Sequence, residues 1–541
     1  MINYTPADQR SFSLFCSPFE GQLDANNRWV RMAALVPWDD MAKVFSSSMS
    51  KDQGRASVDL RIVVGALLVK HIEGISDEDT IQYIQENIYA QYFVGLASFQ
   101  TKPVFSPTLF VEIRKRLGLA GAQQLNDLLL QQAHRLRVIK HRAKPKKKDS
   151  GGQDDQGPTN MGQGAKESSS LTDQAPPVQS DDDPIKNKGK LMLDATVAPQ
   201  HIGYPTDTRL LHEARLDSED LIDKLYLGSS LWSNKPRTYR RVAQQQYMDF
   251  IKKRKPGKKE IKRTRGKQLN YLKRNLGHIN RMLDDLEQAG HAATLWKRRD
   301  WQRFWVLNEL YRQQRIMHQD NRKRIDDRIV NIAQPYVRPI KRGKAGKDTE
   351  FGAKLNMSLT EGFARMDQIS FNSFNEGILL QEQVQTYKAM YGYYPEVVLV
   401  DRIYLNRENR KFLTDNAIRH VGKILGRPKQ MTKQEKHKRR KEQNQRSEVE
   451  GKFGQGKSKY GLDDIQTRRI DTSFACIGLI LLALNLIKLG KAILLSIFNY
   501  CYGLFKRLVG CQIKIGITIG LTNRVNQWQP RKKHLVAIKL G

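Results

Sequence analysis

A long polar stretch in the first third of the chain constrains the fold more than any other feature. Residues 144–184 read KPKKKDSGGQDDQGPTNMGQGAKESSSLTDQAPPVQSDDDP and contain almost no apolar side chains. A segment of this composition cannot bury enough apolar surface to offset the entropy that it loses on ordering. We therefore predict a disordered linker at residues 143–184, with separately folded units before and after it.

The unit before the linker, residues 1–142, is predicted to be an all-α domain. Its apolar residues recur at helical spacing up to Gly74, and Ser76 then begins a second helix with Asp79 three residues later, close to a capping box. The short turn between these helices resembles a helix-turn-helix. Such a pair either contacts DNA or simply packs, and the sequence leaves both roles open.

The charge of the chain indicates a polyanionic partner. Its 541 residues include 92 Lys and Arg against 56 Asp and Glu, a formal charge of +36. Nucleic acid is the commonest polyanion that shares such an excess, and a ribosome-like structural protein or a peripheral membrane protein is the alternative. The four cysteines have no metal-ligand spacing and predict reduced thiols of a cytoplasmic protein. The apolar run Phe474–Leu484 is too short to cross a bilayer and predicts a buried core helix.

After the linker, short apolar runs predict a mixed sheet. A set of strands followed by alternating helix and strand is typical of an α/β domain. The strands are predicted at residues 190–197, 336–342, 351–359, 362–370, 396–400 and 418–424, with a helix at 376–391.

Between the first two strands, residues of about 216–330 predict a helical insertion. Leucine and isoleucine alternate at spacings of three and four from Leu269 to Leu286, which predicts one helix of an antiparallel hairpin. Ten Lys and Arg side chains between Lys252 and Lys267 precede it. A run this dense favours phosphate contact over an ordinary solvated helix face.

Three carboxylates are the candidates for chemistry. Asp194 and Asp401 each follow a predicted buried strand, where a rigid backbone presents a side chain, although either could merely start a turn. On a later helix, Arg446, Glu450, Phe453 and Lys457 fall at intervals of four, three and four, hence on one face, and Glu448 points away. Gly451, Gly454 and Gly456 on the same helix predict a close approach of backbone to another surface, such as DNA. Three converging carboxylates would suit one or two hard divalent cations.

At these residues the sequence resembles the DDE transposases of bacterial insertion sequences, in the group named after insertion sequence five. Leu193 to Gln200 with Tyr204 to Asp207 is similar to the first-aspartate block of that family. Val400-Asp401-Arg402, Tyr404 and Asn409-Arg410 are similar to the second block. Arg446, Glu450 and Lys457 match the family's Arg, Glu and Lys signature, which selects Glu450 over Glu448 as the third carboxylate.

The resemblance implies an RNase H-like catalytic domain at residues 185–500, split by the helical insertion, behind a helical DNA-binding domain at residues 1–142. Residues 501–541 would form a basic C-terminal tail. Asp194, Asp401 and Glu450 would hold Mg²⁺, for which Mn²⁺ could substitute, while Arg446 and Lys457 would contact DNA.

The implied activity is cleavage at terminal inverted repeats and strand transfer into double-stranded target DNA. It would be carried out by a homo-oligomer associated with the nucleoid in the cytoplasm, without a membrane. Two alternatives are a catalytically decayed DNA-binding relative and an RNase H-like nuclease that cuts without joining. The decayed relative is suggested by Ile403, which stands where the family usually has Gly: a positive φ there would strain a β-branched residue and shift Asp401.

Overall fold

The computed structural model describes residues 23–47, 57–139, 187–290, 295–344, 347–422 and 432–509. The predicted linker at 143–184 and residues 510–541 of the predicted tail lie outside the described residues. The described part combines a helical unit, a mixed sheet and a helical insertion.

The N-terminal unit is helical, as predicted. Side-chain oxygens of Asn27, Asp59, Ser76 and Asn87 accept hydrogen bonds from the first-turn backbone of the helices that follow them, which fixes where those helices begin. Gly74 ends one helix in the left-handed conformation, with φ of 67°. The helices are α1 (Arg28–Ala33), α2 (Trp38–Ser46), α3 (Leu60–Glu73), α4 (Asp77–Glu86), α5 (Ile88–Val94) and α6 (Leu109–Arg135).

After the undescribed segment comes a six-stranded mixed sheet. Its strands are β1 (Lys190–Pro199), β2 (Pro339–Lys344), β3 (Lys347–Thr360), β4 (Phe363–Ser370), β5 (Val397–Leu399) and β6 (Arg419–Val421). The order across the sheet is β2-β3-β1-β5-β6, with β4 also paired to β3. Strand β3 is antiparallel to β1, whereas β5 is parallel to both β1 and β6. The predicted strands and the mixed sheet are therefore confirmed.

Helices cover the sheet on both faces. One face packs against α11 (Leu380–Tyr391), which a 3₁₀ turn (Glu376–Leu379) precedes, and the short α12 (Arg407–Asp415) follows β5. The other face packs against α13 (Lys433–Lys459) and α14 (Ile470–Val509). A capping box formed by Thr432 and Glu435 sets the start of α13.

The helical insertion lies between β1 and β2 and has its own core. It comprises α7 (Asp207–Gly228), α8 (Arg240–Ile251), α9 (Lys258–Gln288) and α10 (Arg298–Gln319). The predicted leucine seam is buried on α9, while Trp305 of α10 is 65% exposed. The Asp207 carboxylate, at the start of α7, connects several elements of the insertion. It accepts hydrogen bonds from Gln314 and Arg328 at 3.0 and 2.6 Å and forms an ion pair with Arg265.

Helix α14 belongs to two cores at once. Leu479, Leu482 and Leu486 pack with the N-terminal helices, whereas Ile477 and Ile480 pack with the sheet. Among the described residues one helical stretch, Ile470–Ser496, is long and apolar enough to cross a membrane, and 72% of its most apolar window is buried inside the protein. The helix runs to Val509, past the predicted tail boundary at residue 501.

A buried polar network fixes the helical unit to the sheet. The Asn485 side chain of α14 donates to Asn126 Oδ1 of α6 at 2.8 Å and accepts from the Ala364 backbone of β4 at 2.9 Å. Arg365 of β4 also donates to both carboxylate oxygens of Asp127 on α6, at 2.9 and 3.1 Å. Because unpaired polar groups are costly in a core, this network specifies one docking of the helices on β4.

Candidate active site

The structure places the two candidate aspartates differently along their strands. Asp401 directly follows β5 and caps the 3₁₀ turn Arg402–Tyr404, as expected. Asp194 lies in the middle of β1, opposite Met357 of β3, so the interpretation that it closes its strand was wrong. Strand β1 continues to Pro199 because β3 pairs with it from Met192 to Pro199. Asp194 is therefore held within a strand whose backbone is paired with β3 before and after it.

The pairing of β1 with β5 sets the positions of the two aspartates relative to the sheet. In the parallel ladder, Met192 of β1 pairs with Leu399, the last residue of β5. Asp194 lies two residues beyond Met192 within β1, and Asp401 lies two residues beyond Leu399, after the ladder has ended. Met192 and Leu399 pack in the core that contains Val449 of α13. Because the side chains of a strand alternate between faces, Asp194 projects toward the α13 side of the sheet, where Arg446 approaches it.

Helix α13 supplies the third carboxylate through a shared arginine. Arg446 Nη2 donates to Glu450 Oε1 at 3.1 Å, and Arg446 Nη1 lies 3.6 Å from Asp194 Oδ2. One guanidinium thus connects Asp194 of the sheet with Glu450 of the helix. Glu448 is exposed and has no such link among its described contacts. The geometry favours Glu450 over Glu448 as the third member of the site.

Burial makes the charged, deprotonated form of Asp194 unfavourable. Desolvation is the largest influence and raises the pKa of Asp194, and the negative charges of Glu376 and Glu450 raise it further. The Ala195 backbone N–H, which donates at 2.8 Å, and the Arg446 guanidinium lower the pKa, but less than burial raises it. Additional positive charge at this position would therefore be stabilising.

The donor chemistry of the site fits a hard divalent cation. Asp194, Asp401 and Glu450 offer carboxylate oxygens, the ligands that Mg²⁺ prefers, and burial, the main cause of the raised pKa of Asp194, makes a nearby cation favourable. In the part of the chain that the structure describes, no three His, Cys, Asp or Glu side chains lie close enough together to hold a metal ion. Arg446, placed between two of the carboxylates, partly compensates their charge instead.

The turn that carries Asp401 is built without strain at Ile403. Among the described residues, the non-glycine residues with positive φ do not include Ile403, so the expectation of a strained backbone there was wrong. Ile403 is 51% exposed in its 3₁₀ turn, and a Cβ at Gly377 would clash with its carbonyl oxygen. The buried Asn409 side chain donates to the carbonyl oxygens of Gly377 and Tyr404 at 2.5 and 2.8 Å. These contacts support the backbone of the turn that begins at Asp401.

The remaining predicted features lie further along α13. Lys457 Nζ is 3.6 Å from Glu350 Oε1 of β3, so in this structure the candidate DNA contact has a protein partner. A Cβ added at Gly451 or Gly454 would meet nothing within 4 Å, which leaves an open helix surface beside Glu450. Gly456 instead packs against Leu462, so its role is internal and the expected approach to another surface was wrong there.

One functional neighbour was not anticipated. Glu376, in the 3₁₀ turn before α11, acts electrostatically on Asp194 and pairs with Lys354 of β3 at 2.8 Å. Its sequence context, Asn375-Glu376-Gly377, resembles an ordinary turn and gives no signal of this placement. Only the folded arrangement of β1, β3 and this turn brings the two carboxylates into range.

Asp194→Asn is expected to stabilise the metal-free protein. The folded-state pKa of Asp194 is raised, so this carboxyl contributes stability when protonated and costs stability as pH rises above that pKa. At neutral pH the uncharged amide removes the cost, and we expect a Tm higher by roughly 2 °C in differential scanning fluorimetry. Mg²⁺ or Mn²⁺ should raise the Tm of the wild type but not of the variant. Glu448→Gln is the control, and a variant that melts below the wild type would contradict the assignment.

Comparisons with known proteins find two regions of similarity to transposases. Residues 398–487, which include Asp401 and Glu450, match the family model described as Transposase DDE domain. Residues 17–116 match the model described as Transposase domain (DUF772). The uncharacterized protein ORF8 in the nfe locus of Rhizobium meliloti is 29% identical over 112 residues, which are 21% of this chain and 54% of that protein. The chain spans about half the length of this relative. No solved structure matches the chain.

The fold is an α/β arrangement in which Arg446 links Asp194 of the mixed sheet to Glu450 of α13. The domain matches narrow the similarity. Residues 17–116 are similar to one transposase domain and residues 398–487 are similar to a DDE transposase domain, so the chain contains two regions that resemble transposases.

Proposed function

We propose that the protein is the DNA transposase of an insertion sequence of the group named after insertion sequence five. It would bind the terminal inverted repeats, cleave strands there in a metal-dependent reaction and transfer them to target DNA. The observation that carries the proposal is the link from Asp194 of β1 through Arg446 to Glu450 of α13, with Asp401 two residues beyond the end of the neighbouring strand β5. The strand order, with β3 antiparallel to β1 and with β5 and β6 parallel to it, supports an RNase H-like sheet.

Asp194, Asp401 and Glu450 would hold Mg²⁺ or Mn²⁺. When bound, such ions activate an attacking hydroxyl and stabilise the leaving oxygen of an in-line phosphoryl displacement. The rigid strand backbone at Asp194 and the Asn409-supported turn at Asp401 fix two carboxylates before substrate arrives. Glu450 stands on a helix whose open surface at Gly451 and Gly454 leaves room for a DNA strand.

Arg446 has two roles in this proposal. In the structure its guanidinium compensates Asp194 and Glu450. With that charge compensated by a bound cation, Arg446 would be able to donate a bidentate pair of hydrogen bonds to a phosphate near the reacting end. Lys457, on the same side of α13, would give up its ion pair with Glu350 and bind a phosphate instead.

We further propose that the protein binds long DNA as a homo-oligomer at the nucleoid, with a basic surface before α9 in contact with phosphates. In the basic segment predicted before the leucine seam of α9, four side chains are exposed and have no described acidic partner: Lys252, Arg254, Lys255 and Lys258. A row of free cations supports phosphate contact over a merely solvated face. The N-terminal helical unit would supply recognition of the element ends.

The test is cleavage of end-labelled DNA that carries the element's own termini, incubated with and without Mg²⁺ or Mn²⁺. We expect release of 3′-hydroxyl ends only with metal, followed by joined products when target DNA is added. Cleavage without joining would instead identify a nuclease on the same fold. Specific binding with no product under any metal condition would contradict the proposal and favour a DNA-binding relative without catalysis.

A further inference from the structure

Four lysines gather where α13 and α14 meet, on the side of α13 away from Glu450. Lys452 and Lys459 are seven residues apart and share one face of α13, while Lys488 and Lys491 share one face of α14. Lys488 and Lys491 act electrostatically on Lys452, and Lys459 and Lys488 act on Lys491. We call these four residues the lysine cluster.

The cluster is unusual because its most buried member has no anionic partner. Lys452 is only 7% exposed, and the charged groups that act on it are both lysines. The same holds for Lys491, whose charged neighbours are Lys459 and Lys488. Gathering like charges around a buried ammonium is costly unless an anion offsets them. Among the described residues, no carboxylate is found with the charged groups that act on Lys452 or Lys491.

The shape of the cluster favours a polymer of phosphates over a single small anion. It extends from the buried Lys452 to the exposed Lys459 and Lys491, so its charges form a row that reaches the surface. The row ends beside the helical unit, because the Lys459 carbonyl oxygen faces Gly74, the first residue of the turn between α3 and α4. A DNA backbone that spans both the helical unit and the catalytic helix would pass along this row.

We propose that the lysine cluster binds the sugar–phosphate backbone of duplex DNA next to the element end. This inference rests on the proposed function for the identity of the DNA, and it adds a contact surface separate from the carboxylate site. Each ammonium that contacts a phosphate releases condensed counterions, so the contacts contribute to affinity in a salt-dependent and sequence-independent way. Loss of the cluster should therefore weaken specific and non-specific duplexes alike.

The test is the salt dependence of DNA binding by the full chain, followed by fluorescence anisotropy without added metal. The variant Lys459→Gln/Lys488→Gln/Lys491→Gln leaves the buried Lys452 in place, so that the fold is not disturbed. We expect the slope of log affinity against log salt to fall by about 0.9 for each lost phosphate contact, hence by about 2–3, with Kd raised roughly 10- to 100-fold. The matched control is Lys388→Gln/Lys411→Gln/Lys436→Gln, three exposed lysines elsewhere, which should retain more of the wild-type slope.

Two further arms make the outcome decisive. Lys→Arg at the same three positions should restore the wild-type slope, because charge and not shape is proposed to matter. If the Gln variant keeps the wild-type slope and Kd, the inference is overturned. A Tm increase with inorganic phosphate that the Gln variant loses, alongside unchanged DNA binding, would assign the cluster to a small anion and also overturn it. Wild type that binds through the cluster but never cleaves DNA would overturn the proposed function alone.

Discussion

Asp194→Asn, Asp401→Asn and Glu450→Gln are each expected to lower metal-dependent strand cleavage by on the order of 10³-fold. Each change keeps the size of the side chain and removes one negative charge from the set that would bind metal. We expect a similar effect for all three, because the proposed function assigns them to one metal site, in which Arg446 links Asp194 and Glu450. The measurement is the initial rate of 3′-hydroxyl release from labelled element ends.

Glu448→Gln is the matched control for this prediction. Glu448 stands on the same helix and is exposed, yet it lies two residues from Glu450 and so on a different face. We expect its cleavage rate to stay within about twofold of the wild type, as for a surface substitution. Equal losses from Glu448→Gln and Glu450→Gln would show that the third carboxylate is wrongly assigned. All variants should bind DNA without metal, since the substitutions remove no positive charge.

Deleting residues 1–142 is expected to abolish folding of the catalytic part as well. The deletion would uncover the α14 face formed by Leu479, Leu482 and Leu486, and it would leave the Asn485 side chain without Asn126. An exposed apolar face of this length promotes aggregation. We expect the truncated protein to be insoluble or to lack a cooperative thermal transition, measured by circular dichroism after expression.

Removal of much of residues 144–184 is the corresponding control. This segment is predicted to form no core, so metal-dependent nicking and the thermal transition should survive its deletion. A soluble, cooperatively melting catalytic part without residues 1–142 would contradict the shared-core description. Loss of folding on the linker deletion would instead show that the linker boundary is misplaced.

Local sequence patterns were sufficient to predict most elements of the sheet. A β-branched run predicts a strand and the heptad seam predicts a helix, because each pattern depends only on residues that are close in sequence. Strands β1 to β6 and helix α9 were found where those patterns indicated. The pattern predicted β1 at residues 190–197, and pairing with β3 carries the strand two residues further, to Pro199. The apolar composition of α14 does not reveal that its two sides face different cores.

The candidate site was predictable only in part. Strand-end position indicated Asp401, whereas the choice of Glu450 depended on the resemblance to a known family. The bridge from Arg446 to Asp194 joins residues more than two hundred positions apart, and Glu376 approaches Asp194 only through the fold. Concern over Ile403 came from a family pattern, and the actual backbone at that position removed it.

The shared core of α14 has a consequence for synthesis on the ribosome. The N-terminal helices emerge first, but part of the apolar surface that they need is on Leu479 to Leu489, which is translated after the whole sheet. Domains usually fold in the order in which they are made, and this unit cannot complete its packing in that order. A nascent chain therefore holds no finished N-terminal unit until residues 479–489 have been made, and each molecule completes its N-terminal unit and its sheet domain together.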